Sequence, residues 1–248
     1  MKQVLLMVRS MRLISTVMWG FFAVLLVFPW VSAQKKLSIK RYWSNAMLRS
    51  CGMRLVVRPA SDGARAPHSG ELVAMNHISF IDILALDSLR PVHFIAKSEI
   101  RSWPVVGMLC ERTGTIFIER GRRHAVHSVL KTMSQELRDG EVVAFFPEGT
   151  TGEGESLLAF HANLFEAAVR ASAPIRPVVL AYRQYGQRSL IPAFIGDLSL
   201  VACALAVLQA TELEVHMQVL DAIASEGLTR HELAARVREA MLTCFDGS

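Results

Sequence analysis

The first 61 residues of this 248-residue chain contain no acidic residue; the first of its 22 Asp and Glu is Asp62. The same stretch holds ten of the 27 Lys and Arg: Lys2, Arg9, Arg12, Lys35, Lys36, Lys40, Arg41, Arg49, Arg54 and Arg58. Beyond it, 17 basic residues stand against 22 acidic ones, so the net charge of +5 belongs to an N-terminal arm and not to the chain as a whole. A basic arm suits anionic lipid or nucleic acid. The apolar run beside it argues for lipid and against nucleic acid.

Cysteine is also scarce. Cys51, Cys110, Cys203 and Cys244 are scattered, with no C-x-x-C pair. That excludes a disulfide scaffold and a zinc site, and it fits a reducing compartment. No G-x4-G-K-[ST] or G-x-G-x-x-G loop occurs, which removes support for nucleotide binding. No G-x-S-x-G elbow occurs either, which disfavours a serine hydrolase. Ser128 and Lys131 match S-x-x-K in the middle of a helical pattern, without the companions that would give them meaning. His161 and His216 read as packing or surface residues, and no metal constellation is expected.

What is present begins with an uncharged run, Ile14 to Ala33. Twenty residues at about 1.5 Å each span about 30 Å, one hydrocarbon core. Trp19 and Trp30 lie near its ends, where aromatics favour the interface. A retained membrane-anchoring helix is the expectation. Two alternatives stand beside it: a signal peptide cleaved after Val31-Ser32-Ala33, and a helix that dips in and returns, broken near Pro29. Basic residues flank both sides, so charge gives no clean orientation. Residues 36–51 place Ile39, Tyr42, Trp43 and Met47 at helical spacing among cations, the pattern of a helix lying on a membrane surface.

Residues 59–70 (PASDGARAPHSG) form a turn-rich connector, dividing an N-terminal arm (1–58) from a catalytic domain (59–248). Past it, apolar runs predict strands at about 71–75, 92–96, 115–118, 142–146, 175–181 and 213–220, with another possible at 53–58. Helices are predicted near 79–88, 103–112, 122–139, 161–172, 198–210 and 229–244. The run at 198–210 is too short to span a membrane and predicts a buried core helix. The alternation gives an α/β fold with a mixed, largely parallel central sheet flanked by helices. Sites in such folds form beyond the carboxyl ends of strands.

Three motifs fall at those strand ends. Asn76-His77-Ile78-Ser79-Phe80-Ile81-Asp82 follows the first strand. On one regular helix His77 and Asp82 would lie some 140° apart. They meet only if His77 sits in the turn and Asp82 in the first helical turn, which yields a base oriented by a carboxylate. The plainer reading makes Ser79 and Asp82 a capping box. Gly114 to Arg120 (GTIFIER) ends an apolar strand in a guanidinium, suited to a phosphate or carboxylate. Phe146-Pro147-Glu148-Gly149-Thr150 is a turn whose polar groups could hold a head group. Pro177, inside the strand at 175–181, argues against a regular central ladder position.

Jointly NHISFID, GTIFIER, FPEGT and RPVVL resemble the glycerolipid acyltransferase family (lysophosphatidic acid acyltransferases, PlsC-like) over about residues 70–220. The resemblance implies a catalytic His77 and Asp82, supported by Asn76, Ser79, Pro147 and Pro177. It implies acceptor binding by Gly114, Phe117, Arg120, Glu148, Gly149 and Thr150, with Lys97 as a further cation. It implies acyl transfer from an acyl thioester, carried by acyl carrier protein or coenzyme A as co-substrate without any other cofactor. The acceptor would be the free hydroxyl of lysophosphatidic acid, giving phosphatidic acid at a bacterial inner membrane with the catalytic domain facing the cytoplasm. The third block continues Thr-Thr-Gly-Glu-Gly-Glu where many members continue Thr-Arg-Ser. That departure leaves lyso-ornithine lipid as an alternative acceptor. A non-catalytic membrane-tethered lipid-binding protein is the alternative of a different class.

Overall fold

The structure, a computed structural model, describes residues 2–119 and 123–245. Among them, eight strands form one sheet in the order β1-β8-β6-β2-β5-β3-β4, with β7 beside β6. The strands are β1 (Met53–Pro59), β2 (Leu72–Met75), β3 (His93–Lys97), β4 (Ile116–Ile118), β5 (Val143–Phe145), β6 (Ile175–Gln184), β7 (Gln187–Arg188) and β8 (Leu213–Val219). β6, β2, β5, β3 and β4 run parallel, while β8 pairs antiparallel to β6 and carries β1 parallel to itself. The sheet is therefore mixed and largely parallel, as the alternation of elements predicts, and it starts within the segment 1–58.

The period-2 pattern of the strands sorts side chains onto two covered faces. Val73 and Met75 of β2 and Val178, Leu180 and Tyr182 of β6 meet α2 (Ala33–Ser50), α3 (Ile81–Leu89) and α7 (Leu200–Gln209). Leu72, Ala74, Phe145, Ile175 and Val179 meet α5 (Arg123–Arg138), α6 (Glu166–Ala171) and α8 (Arg230–Leu242). β8 shows the alternation most plainly: Leu213, Val215, Met217 and Val219 are buried, and Glu214, His216 and Gln218 are not. The remaining helix of the domain, α4 (Val106–Arg112), follows β3.

Pro177 lies within a central strand, β6, but not at a regular ladder position. Its carbonyl accepts from Leu220 N at 3.0 Å, and its register partner on β2 is Ala74. The ladder to β8 breaks at this point: Val178 faces Val219, but Ile175 bridges Ile223, three residues against four. The missing N–H falls at that bulge, where it costs no ladder bond.

The apolar N-terminus differs from a straight span. α1 (Lys2–Phe22) ends in a π turn (Ala23–Val27) and a 3-10 turn (Phe28–Trp30) containing Pro29. The chain then reverses into α2, N-capped by Ser32. The two helices pack antiparallel: Trp43 Nε1 donates to Thr16 O at 2.9 Å, and Thr16 Oγ1 lies 3.1 Å from Ser50 Oγ. Gly20 allows the close approach, since a Cβ there would lie 2.3 Å from Trp43 Nε1. The helical run Gln3–Trp30 is long and apolar enough to cross a membrane by length and composition. Within the fold it is one arm of a hairpin laid on the domain. α7 is likewise not fully buried: Cys203, Val207 and Leu208 face inward, but Val201 and Leu205 are exposed.

α2 is fastened to the domain by Lys40, whose Nζ lies 3.2 Å from Asp87 Oδ2 on α3 and donates to Val92 O. Both side chains are nearly sealed from water. Removing one partner of a buried pair costs about 3–5 kcal/mol, because the other charge is stranded. Lys40→Met is expected to lower the thermal unfolding midpoint of the detergent-solubilised protein clearly. Adding Asp87→Asn should recover much of the loss; no recovery would show that the pair does not hold the hairpin.

Candidate active site

The parallel order of β2, β5, β3 and β4 brings the three motifs to one edge of the sheet. β2 ends at Met75, and Asn76 turns the chain. Its Nδ2 donates to Leu180 O at 3.0 Å and its Oδ1 accepts from Leu180 N at 2.7 Å, so this buried amide stands in for one more ladder step to β6. His77 follows in the turn, and Asp82 lies in the first turn of α3.

Their side chains meet: His77 Nδ1 is 2.8 Å from Asp82 Oδ2. The same oxygen accepts from the backbone N–H groups of Ile78 (2.7 Å) and Ser79 (2.9 Å). The Ser79 contact is half of the capping-box geometry. Asp82 thus caps its helix and holds His77 at once, and the plain and the chemical readings of the motif are both realised. Ser79 Oγ accepts from Ile81 N at 3.3 Å in place of the reciprocal bond.

The second carboxylate oxygen is held by a residue absent from every motif. Tyr182 Oη donates to Asp82 Oδ1 at 2.6 Å. Asp82 is fully buried and Tyr182 is 2% exposed. Burial, followed by the Asp82 charge, pushes the Tyr182 phenol well above its ordinary range, so it stays a donor. The alternation of β6 places Tyr182 on the same face as Leu180, toward α3. In the sequence the only available signal was an inward-facing aromatic in that alternation.

With Asp82 as acceptor, His77 Nδ1 carries the proton and Nε2 is left with its lone pair. Nε2 makes no hydrogen bond among the described residues, and the side chain is 20% exposed. The ring is stacked on Phe146, with centroids 3.7 Å apart and planes at 14°, and Phe94 stacks on the far side of Phe146. Asp82 fixes one edge of the imidazole, and Phe146 fixes its plane.

Glu148 acts on the turn from beneath. Oε1 accepts from His77 N at 3.0 Å and Oε2 from Leu158 N at 2.9 Å. Burial pushes its carboxyl above the usual range, against the pull of the two N–H donors. Both oxygens accept from the backbone, so Glu148 shapes the turn that carries His77. Pro147 is buried, and its carbonyl accepts from His161 N at 2.8 Å. Gly149 has φ +70°, a conformation that favours glycine, and Thr150 is exposed. Gly152 N donates to His77 O at 2.8 Å, and Thr151 Oγ1 donates to Phe194 O. A cleft of about 350 Å³ opens against this loop, lined by Thr151, Gly152, Glu153, Gly154, Glu155 and Leu158 among others.

The remaining candidates are spread along the same edge. Lys97 is exposed at the end of β3, opposite Ile118 of β4. Phe117 is half-buried beneath the Arg101 guanidinium, 5.7 Å from its ring centroid. Gly114 has φ +87°, and a Cβ there would lie 2.4 Å from the His93 ring, which gives it a steric reason to be glycine. Arg120, the guanidinium expected to grip the acceptor, lies outside the described residues. No group of three or more His, Cys, Asp or Glu that could hold a metal occurs among the described residues.

An imidazole oriented by a buried carboxylate at the strand ends of an α/β sheet is an arrangement suited to general-base chemistry. Comparison with known proteins gives that arrangement its family. The family model "Acyltransferase" matches residues 61–181. A lyso-ornithine lipid O-acyltransferase of Pseudomonas aeruginosa is 34% identical over 100% of this chain and 96% of its own length. A 1-acyl-sn-glycerol-3-phosphate acyltransferase of Neisseria meningitidis is 36% identical over 72% of this chain and 71% of its own. The crystal structure of the 1-acyl-sn-glycerophosphate acyltransferase PlsC from Thermotoga maritima superposes with a TM-score of 0.73 at 19% identity, covering 99% of this chain and 96% of that one. The chain belongs to the glycerolipid acyltransferase family.

Two substitutions test the geometry. Tyr182→Phe removes a hydrogen bond to a buried charge, worth about 1.5–3 kcal/mol. It is expected to lower kcat about 10- to 100-fold with the acceptor KM nearly unchanged; a rise in KM alone would place Tyr182 in binding. Glu148→Gln leaves one acceptor for two backbone donors. It should reduce both kcat and thermal stability, and wild-type values of both would exclude the strut.

Proposed function

We propose that the protein transfers a fatty acyl group from an acyl thioester to the hydroxyl of a membrane lysolipid, with His77 as general base and Asp82 as its orienting carboxylate. The observation that carries this reading is the 2.8 Å contact that leaves His77 Nε2 free at the edge of the sheet. An alcohol is too weak an acid to attack unaided, and a base near neutrality supplies what it needs. As Nε2 takes the hydroxyl proton, the alkoxide oxygen attacks the thioester carbonyl. The tetrahedral centre then collapses with cleavage of the carbon–sulfur bond. The thiolate leaves readily, as a thiol has a pKa of about 8.5, and the imidazolium can return the proton to it. No enzyme nucleophile is required. Stacking on Phe146 shields one face of the ring and limits water, which would otherwise hydrolyse the donor.

For the acceptor, the loop after FPEGT favours lyso-ornithine lipid. Glu153 and Glu155 line the cleft beside Gly152, whose N–H donates to His77 O, in the stretch where the family resemblance implies an arginine. Two carboxylates there suit the amine of an amino-acid head group and oppose a phosphate. The full-length likeness to a lyso-ornithine lipid O-acyltransferase points the same way. Lysophosphatidic acid is the second reading, favoured by the guanidinium of the GTIFIER motif. Donor thioesters of acyl carrier protein and of coenzyme A suit the mechanism equally.

The hairpin supplies the membrane attachment that such an acceptor needs. α2 is too rich in Lys and Arg to enter hydrocarbon, and it packs along α1. The pair therefore sits in one leaflet, α1 embedded by its outer face, and does not span the bilayer. The reading is tested with purified protein, an acyl thioester and a panel of lysolipids. His77→Ala is expected to lose about 10²- to 10⁴-fold in kcat. Retained turnover would end the base assignment, and a preference for lysophosphatidic acid would reverse the order of acceptors.

A further inference from the structure

Away from the site, a groove of about 1030 Å³ runs between α1 and α2. It is lined by Arg12, Ser15 and Thr16 from α1 and Arg41, Tyr42 and Arg49 from α2, with smaller contributions from their neighbours. Its lining comes wholly from the hairpin, and no residue of the His77 site takes part.

Three guanidiniums share this groove without a carboxylate. Neither helix contains an Asp or Glu. Asp87, on the helix packed against α2, is engaged by Lys40 and by Val92 N. Arg41 is braced by its Nε, which donates to Ser88 O at 3.2 Å. The guanidiniums of Arg12 and Arg49 make no hydrogen bond or ion pair among the described residues, and both residues are exposed.

The position of the groove says what would neutralise them. α1 exposes a continuous apolar stripe, Val4, Met7, Met11, Ile14 and Met18, spaced three and four residues apart. At about 100° per residue, Val8, Arg12 and Ser15 lie roughly a quarter turn around from that stripe. A helix embedded by its apolar stripe carries its flanking cations at the depth of the lipid phosphates. Met11 belongs to both surfaces, so stripe and groove are continuous.

We propose that this groove binds the phosphodiester head group of an anionic membrane phospholipid. Arg12, Arg41 and Arg49 hold the phosphate oxygens, Ser15 and Tyr42 offer hydroxyls, and Met11 and Val8 meet the start of the acyl chains. The site is structural: the lipid joins α1 to α2 and sets the hairpin's depth, and it is neither acceptor nor product. An acidic protein such as an acyl carrier would be the other partner for three arginines. The concave, polar groove beside an apolar stripe suits a single lipid molecule better.

The test is native mass spectrometry of the full chain released from detergent micelles, with phosphatidylglycerol or phosphatidylcholine added. Wild type should retain phosphatidylglycerol and not phosphatidylcholine. At roughly fivefold per cation, Arg12→Gln/Arg41→Gln/Arg49→Gln should bind it about 100-fold more weakly. Arg58→Gln/Lys131→Gln/Arg236→Gln, which removes equal charge elsewhere, should bind as wild type does. His77→Ala should also bind normally, which separates this proposal from the catalytic one. Should the triple variant misfold, Arg12→Gln alone is expected to weaken binding about fivefold. The proposal is overturned by equal retention in the groove variants or by equal retention of both lipids. It is also overturned by full displacement with inorganic phosphate, or by loss of acyl carrier protein binding in place of lipid binding.

Discussion

A carboxylate sealed from water must be satisfied by the chain around it, and Asp82 is satisfied from four directions. His77 Nδ1, two backbone N–H groups and the Tyr182 hydroxyl all converge on it. Desolvating such a group costs several kcal/mol, and each hydrogen bond to a charge offsets about 1.5–3 kcal/mol. The four donors together offset that cost. Their convergence fixes the turn after β2, the start of α3, the rotation of β6 and the tautomer of His77 together. The geometry of the His77–Asp82 pair and the local fold are one constraint.

The sheet supplies the distances over which that constraint acts. Tyr182 is a hundred residues from Asp82 in the chain, yet β6 lies directly beside β2. Glu148 comes from the turn after β5, on the other side of β2, and reaches His77 through the backbone. The turn holding the imidazole is therefore clamped from both neighbouring strands. Asn76 on the β6 side and Glu148 on the β5 side both use side chains where the ladder has run out of backbone partners. Parallel strands make this possible because all their carboxyl ends open on the same edge.

The elements were readable in the sequence wherever the physics was local. Apolar runs of strand length, the amphipathic α5 and the turn between His77 and Asp82 each announce themselves within about ten residues. The chemistry of His77 and Asp82 could be posed from spacing alone, because five residues share a face only if the helix begins between them. What escaped depended on partners far along the chain. Tyr182 carries no mark that its hydroxyl ends on a carboxylate. Glu148 carries no mark in its motif that its oxygens brace the backbone at His77 and Leu158. Pro177 signals an irregular ladder position, but the bulge that accommodates it involves Ile223, far along the chain. The half-exposed face of α7 was hidden by composition, since an apolar helix looks buried whether its outer side meets protein or lipid.

The N-terminal arm follows the same logic in a different solvent. Ile14 to Ala33 has the length and composition of a span, but helix length is decided by what the following residues can tolerate. α2 carries Lys35, Lys36, Lys40, Arg41 and Arg49, and it is held along α1 by Trp43 and Gly20 and against the domain by Lys40 and Asp87. Driving α1 through a bilayer would drag those cations into hydrocarbon, at about 2.5–3.5 kcal/mol for each at the centre. Embedding one face of α1 would bury its apolar stripe and keep the exposed cations Arg12, Arg41 and Arg49 at the phosphate layer. The absence of acids from this arm fits that placement, since a carboxylate there would repel an anionic surface. On the function proposed above, the basic arm that explains the charge of the chain would also hold the mouth of the sheet at the membrane surface.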